Sequence, residues 1–218
     1  MSITVKLEYK DLPATGVIGA ADNDLDLLIT ATGTTKVDKL TLGVDFNDLT
    51  FTKVANDWAV THKDIDDVTL LLKDIERLEN GTKGLALDVT GAAGEVYALL
   101  ATALGKADVT PELMGIALSL KDAGKTDLEV AQTILDSTVY KQDALGSSNE
   151  TLVKQIYKNI LGTTPSFADL VYFTTELDKG TFTQAQLLEL ASNLELTRDA
   201  SHINLVGMSS IEYTPIAG

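Results

Sequence analysis

Glu95-Val-Tyr-Ala-Leu-Leu-Ala-Thr-Ala-Leu-Gly105 and Leu152-Val-Lys-Gln-Ile-Tyr-Lys-Asn-Ile-Leu-Gly162 decide how this chain is read, because they are two copies of one helical segment. Val96, Leu100 and Leu104-Gly105 of the first fall opposite Val153, Tyr157 and Leu161-Gly162 of the second, about 57 residues later. A proline-opened segment follows each (Pro111-Glu-Leu-Met and Pro165-Ser-Phe-Ala), then Asp122-Ala-Gly124 or Asp178-Lys-Gly180, a short polar stretch and a last apolar helix. The copies cover residues 95–135 and 152–192. Apolar side chains three and four residues apart lie on one face of a helix. A duplication at fixed period marks helical units that stack on a shared core, which is the signature of a scaffold.

Start and stop signals bound these helices. Thr110-Pro111 supplies an N-cap and a proline at the first helical position, and Thr183 with Gln186 forms a capping-box pattern. Gly105, Gly124, Gly162 and Gly180 stand where helices should end. Val96, Leu100, Ile156, Tyr157 and Leu190 are the expected helical core. Leu187, Ala191 and Leu194 continue its pattern, and Tyr97, Tyr172 and Phe173, at helical spacing, are expected to be core as well.

Upstream of Gly91 the period is two. Ile3, Val5, Leu7 and Tyr9 alternate, as do Leu25, Leu27 and Ile29; Leu49 and Phe51; Trp58 and Val60; Val68, Leu70 and Leu72; and Leu85, Leu87 and Val89. Such alternation reads as strands buried on one face. Thr32-Gly33, Asp45 to Asp48, Asn56-Asp57 and Asn80-Gly81 read as the turns between them. In Asn80-Gly81 both residues tolerate the positive φ of a tight hairpin. The expected fold class is therefore α+β. A small antiparallel β-domain (1–91) precedes an α-helical domain (92–218) of two related units and a C-terminal tail, with a strand and a helix turn expected in residues 203–213.

Composition narrows the function. The chain has 218 residues, a formal net charge of −15 and no cysteine. The charge is spread evenly: 16 acidic and 9 basic side chains over 1–91, 16 and 8 over 92–218. An acidic surface without a Lys/Arg cluster repels nucleic acid and anionic lipid, so neither is an expected partner. Without cysteine there is no disulfide frame, thiolate metal site or cysteine nucleophile. No 18-residue apolar run marks a membrane span, and Met1 to Tyr9 has the alternation of a strand instead of the layout of a cleavable signal.

Two segments resemble a known family. Asp57-Trp-Ala-Val-Thr-His62 and Val68-Thr-Leu-Leu-Leu-Lys-Asp-Ile-Glu-Arg-Leu-Glu-Asn-Gly-Thr-Lys-Gly-Leu-Ala-Leu-Asp88 look like the β-segment near the C-terminal end of very large bacterial RTX-type surface proteins. Leu152 to Asn193, with Ile156-Tyr157-Lys-Asn-Ile-Leu161-Gly162, Ala168-Asp-Leu170 and Leu177-Asp-Lys-Gly180, is similar to the helical domain that follows that segment and is distantly like phycobilisome linker domains. Together they cover about 57–195. The chain departs from the pattern at Glu79, where phenylalanine is usual, and at Thr163-Thr164, and it lacks the glycine-rich calcium-binding repeats, of which Ala20 to Asp26 is at most one remnant. The resemblance implies type I secretion without a cleaved N-terminal signal, an extracellular or cell-surface location and no enzymatic activity.

The acidic turns are the candidate metal site. Asp22, Asp24 and Asp26, Asp45 and Asp48 with Asn47, and Asp64, Asp66 and Asp67 form three clusters. Ca²⁺ takes six to eight oxygen ligands, which closely spaced carboxylates and carbonyls supply; the competing reading is that aspartate and asparagine favour turns and caps. His62 and His202 lie in different regions and suggest no zinc or acid–base pair. Gly91-Ala-Ala-Gly94 lacks the Lys-Ser/Thr of a phosphate loop, and no serine stands in a nucleophile elbow. The expected function is a non-enzymatic structural protein that self-assembles into a filament, layer or matrix, or mediates adhesion, with itself or cell-surface and matrix components as partners. The exposed strand Ile3, Val5, Leu7 and Tyr9 is the expected subunit contact. The alternative is a monomeric secretion, anchoring and binding module of a large calcium-dependent adhesin.

Overall fold

A computed structural model of the chain describes residues 27–33, 37–143, 146–195, 197, 205 and 208–216, with the side chains of 27–30, 66–68 and 143 excluded. Ile3, Val5, Leu7, Tyr9, Asp22, Asp24, Asp26 and His202 therefore lie outside the described residues, as do the side chains of Asp66 and Asp67. Contacts divide the chain into two compact units, Met1–Leu87 and Asp88–Gly218. The fold class is α+β.

The first unit is built from two small sheets. In one, the strands β1 (Leu27–Thr32), β3 (Leu49–Val54), β4 (Asp57–His62) and β5 (Ile65–Lys73) are ordered β1-β5-β4-β3. In the other, β2 (Lys39–Thr41), β6 (Arg77–Asn80) and β7 (Lys83–Ala86) lie side by side with β6 central. The sheets are mixed, which corrects the purely antiparallel expectation. β1 runs parallel to β5, with Ile29 opposite Leu70, and β2 runs parallel to β6, with Leu40 opposite Leu78. Hairpins dictate antiparallel pairing only for strands joined by a tight turn, as β3–β4 and β6–β7 are; β1 and β2 reach their partners from far away in sequence. Ala31, Val60 and Leu72 of the first sheet and Leu40, Leu42, Leu78 and Leu85 of the second share one buried core.

Two hairpins show where sequence and geometry part. In the β6–β7 turn Gly81 takes the positive φ (64°), while Asn80 ends β6 and its side-chain amide donates to the Val44 carbonyl at 2.6 Å. In the β3–β4 turn it is Ala55 that takes the positive φ (55°), a conformation that crowds a Cβ.

The second unit holds α1 (Ala92–Leu104), α2 (Pro111–Asp122), α3 (Asp127–Asp136), α4 (Thr138–Asp143), α5 (Asn149–Leu161), α6 (Phe167–Asp178), α7 (Gln184–Ser192) and a short strand, β8 (Ile211–Tyr213). The duplication is visible element by element. α1 and α5 both have 13 residues, α2 and α6 both have 12, and α3 and α7 have 10 and 9. Thr110 and Ser166 cap α2 and α6 through equivalent hydrogen bonds, and Thr126–Glu129 and Thr183–Gln186 are matching capping boxes. Equivalent helices pack on each other, α1 on α5 and α3 on α7. Toward the C-terminal ends of α1 and α5 the Asn159 side-chain amide donates to the carbonyl of Thr102, its counterpart 57 residues earlier, at 3.0 Å. α1 buries 11 of its 13 residues and packs against α2, α3, α5 and α7, so it is the axis of the domain.

Candidate functional site

The acidic turns meet in part. Asp45 caps a single 3₁₀ turn (Phe46–Asp48) by accepting from the Asn47 backbone N–H at 3.0 Å, which is the turn-forming use of aspartate. At the end of β4, Lys63 reaches back to Asp48 at 2.6 Å, and His62 lies 4.0 Å from the same carboxylate. The hydrogen bond and charge of Lys63 hold Asp48 below the ordinary carboxylate value. Asp48 raises Lys63 in return, with smaller contributions from Asp64 and Asp45. Asp48 is thus paired with an ammonium group of the chain itself, and Asp45 and Asp64 lie near enough to add to the field at Lys63. Among the described residues no three His or acidic side chains are grouped so as to hold a metal ion.

The helical domain offers a second and larger feature. Each repeat is tied together at one end. In the first repeat Lys121 of α2 pairs with Glu95 of α1 at 3.2 Å and with Asp127 of α3. Burial alone would lower the Lys121 pKa, but the bonds to Asp127 and Glu95 outweigh it and the value is raised. In the second repeat the tie is uncharged or half-charged. Asn149 of α5 donates to Asp178 of α6 at 2.7 Å, and Gln184 of α7 donates to Asn149 at 2.8 Å.

Away from that tie the repeats differ. In the first, α2 packs against both α1 and α3, and β8 lies along its outer side with the Thr214 N–H donating to the Pro111 carbonyl at 2.8 Å. Gly115 makes this approach possible, because a Cβ there would stand 1.9 Å from the Thr214 carbonyl oxygen. In the second, the packing of α6 among the described elements is chiefly on α5. The splayed helices leave an apolar cleft of about 380 Å³, floored by Ile156, Ile160 and Leu187 and rimmed by Leu161, Leu190 and Leu194. Tyr157 and Phe173 meet edge to face in its wall, ring centres 6.3 Å apart.

No family model matches the chain, and no curated protein matches it. The site therefore has to be read from its own chemistry.

Periodicity assigns the residues that shape it to the core; Ile156, Leu187 and Ala191 are buried there, and the structure corrects the assignment for Leu190, Leu194 and Tyr172. Leu190 is 61% exposed, Leu194 45% and Tyr172 59%, whereas Tyr97 is buried and Tyr157 and Phe173 are half-buried. Helical spacing reports that residues share a face, and not whether the chain supplies something to cover it. The duplication does carry a usable signal. At the positions of Leu190 and Leu194 the first repeat has Thr133 and Ser137; the matching N-caps Thr110 and Ser166 set Pro111 and Gly115 opposite Phe167 and Val171, which corrects the pairing of Pro111 with Pro165. Phe167 is 84% exposed and Val171 also faces solvent. α6 carries Phe167, Leu170, Val171, Tyr172, Phe173 and Leu177 interspersed with Asp169, Thr174, Thr175, Glu176 and Asp178, and of these apolar residues only Leu177 is fully buried.

Proposed function

We propose that this protein is a non-enzymatic assembly or adhesion protein whose working surface is the second helical repeat. The observation that carries this reading is the apolar surface that the second repeat leaves exposed: Phe167, Val171 and Tyr172 of α6, with Leu190 and Leu194 at the cleft. Exposed apolar patches rimmed by polar residues mark protein contact sites. The cleft is at the small end of ligand pockets, which run about 300–1,000 Å³. A small molecule filling it would leave Phe167 and Val171, which lie outside the cleft, in water, whereas an apposed protein surface could cover them as well.

The chemistry of the cleft supports binding over catalysis. Its one titratable lining group is Tyr157, whose pKa is raised by burial and by the neighbouring Asp169, so the phenol stays protonated and serves as no base. Among the described residues no helix is long and apolar enough to cross a membrane. Action outside the cell and type I export rest on the resemblance of residues 57–195 alone. Calcium is retained as a proposed ion for the aspartate clusters, subject to displacement of Lys63 from Asp48.

A photoreactive residue at position 190, introduced in the producing cells and irradiated, tests the reading. Covalent adducts to protein, absent when the probe stands at Lys125 on the first repeat, are expected. A probe at 190 that captures no protein contradicts it.

A further inference from the structure

We infer that a half-polar hollow beside α6, separate from the apolar cleft, takes an arginine side chain of a basic protein partner. The inference rests on the reading of the second repeat as a protein-contact surface and adds the chemistry of the partner. The hollow holds about 520 Å³ and lies between the start of α5 and one face of α6. Phe167, Leu170 and Val171 give it an apolar wall, and Glu150 and Asp178 give it two carboxylates. A side chain with an aliphatic stem and a cationic head matches both halves. A guanidinium also stacks on an aromatic ring, which Phe167, 84% exposed, offers.

The first repeat shows what kind of group covers this place. There Pro111, Met114 and Gly115 stand opposite Phe167, Leu170 and Val171. The chain's own β8 end lies on that face, with the Thr214 N–H bonded to the Pro111 carbonyl and the Thr214 backbone against Gly115. The occupant there is polypeptide, and the second repeat has no such cover among the described residues. Val171 excludes the close backbone approach that Gly115 admits, so an extended segment cannot seat as β8 does. A partner reaches the hollow with a long side chain instead.

Charge decides which side chain. Glu150 stands where the first repeat has Ala93, so the second repeat adds a carboxylate at this place. Asp178 accepts from the Asn149 amide and is in no ion pair among the described residues. It is also the last residue of α6, where the negative end of the helix dipole favours a cation. Glu150 pairs with Lys154 one turn on, but both side chains are more than half exposed, and an incoming cation displaces such a contact at little cost. The net charge of −15 attracts a basic partner at long range and repels further copies of the chain.

NMR titration of the isotope-labelled full chain with an end-blocked alanine–arginine–alanine tripeptide tests this, with citrulline in place of arginine as the uncharged isostere. Saturable shifts are expected at the Leu170 and Val171 methyls and at the Asn149 and Asp178 amides, weakened by salt. The citrulline peptide is expected to bind about fivefold more weakly, and so is the arginine peptide to a protein carrying Glu150→Gln with Asp178→Asn. Phe167→Ala is expected to weaken binding as well; all three positions are exposed, so the fold stands without them. An arginine peptide that binds no more tightly than the citrulline one overturns the inference. Affinity indifferent to the variants does so too, as do shifts equally large at a remote exposed carboxylate such as Asp108. If position 190 captures protein in cells while the arginine peptide fails, the contact surface stands and only the basic partner is wrong. If the peptide binds as described while position 190 captures nothing, the site stands and the proposed function fails.

Discussion

Gly115→Ala puts the covering of the first repeat to the test. The new Cβ would lie 1.9 Å from the Thr214 carbonyl oxygen and 3.0 Å from its carbon, both backbone atoms that cannot rotate away. Either α2 shifts or the strand leaves. If it leaves, Ile211 and Tyr213, both buried, lose cover worth about 1.5–3 kcal/mol each. The Thr214 N–H to Pro111 hydrogen bond adds about 1 kcal/mol, for a ceiling of about 4–7 kcal/mol. Partial relaxation lowers the cost, and replacing a helical glycine by alanine returns about 1 kcal/mol. The net expectation is a loss of about 2–4 kcal/mol in urea denaturation followed by circular dichroism. The sign should reverse in a chain shortened to residue 204, where the Thr214 backbone no longer opposes the Cβ and alanine stabilises by about 1 kcal/mol. A full-length Gly115→Ala protein as stable as the wild type, or the same sign in both backgrounds, would refute the account of how β8 seats on α2.

Other expectations follow from single contacts. Asn159→Ala removes the buried hydrogen bond to Thr102 and should cost about 1–3 kcal/mol of stability, read from the urea midpoint; a change within experimental error would deny this contact a structural role. Ala55→Gly relieves a left-handed residue, a strain of about 1–2 kcal/mol, against an entropic cost of about 0.4–1 kcal/mol, so the β unit should be unchanged or slightly stabilised, whereas Ala55→Val should destabilise it. Lys63→Gln should raise the Asp48 pKa toward the ordinary carboxylate value in an NMR titration. A depressed folded-state value contributes stability above the unfolded pKa and loses it as pH falls through the folded one, so the variant's deficit should vanish in acid. An Asp48 titration that does not move would break the assigned pairing.

Much of the architecture was legible because period and punctuation agree. Thr110-Pro111, the Thr183–Gln186 box and the glycines after each helix bound the elements they were expected to bound. β2 was not legible: Leu40-Thr41-Leu42 is too short for alternation to register, and it is held by long-range bonds such as Asp38 N–H to the Glu76 carboxylate at 2.8 Å and Arg77 N–H to the Asp38 carbonyl at 3.0 Å. The parallel pairing of β1 was hidden for a related reason, since its partner lies beyond three intervening strands. The acidic turns are legible as clusters, but Lys63 is recognisable as the partner of Asp48 only once β3 and β4 bring the two together. For the exposed apolar surface of the second repeat the relevant information was the difference between repeats: leucine against threonine at 190 and 133 on the cleft rim, valine against glycine at 171 and 115 on α6 and α2. Each repeat read alone looks like an ordinary amphipathic core.

Hydrogen exchange of the full chain in dilute solution tests the central claim most directly, because it reads α2 and α6 in one experiment. The account predicts that α2, covered by the chain itself, exchanges slowly. Phe167–Asp178 of α6 and the end of α7 near Leu190 should exchange faster. Equal protection of α2 and α6 would contradict it.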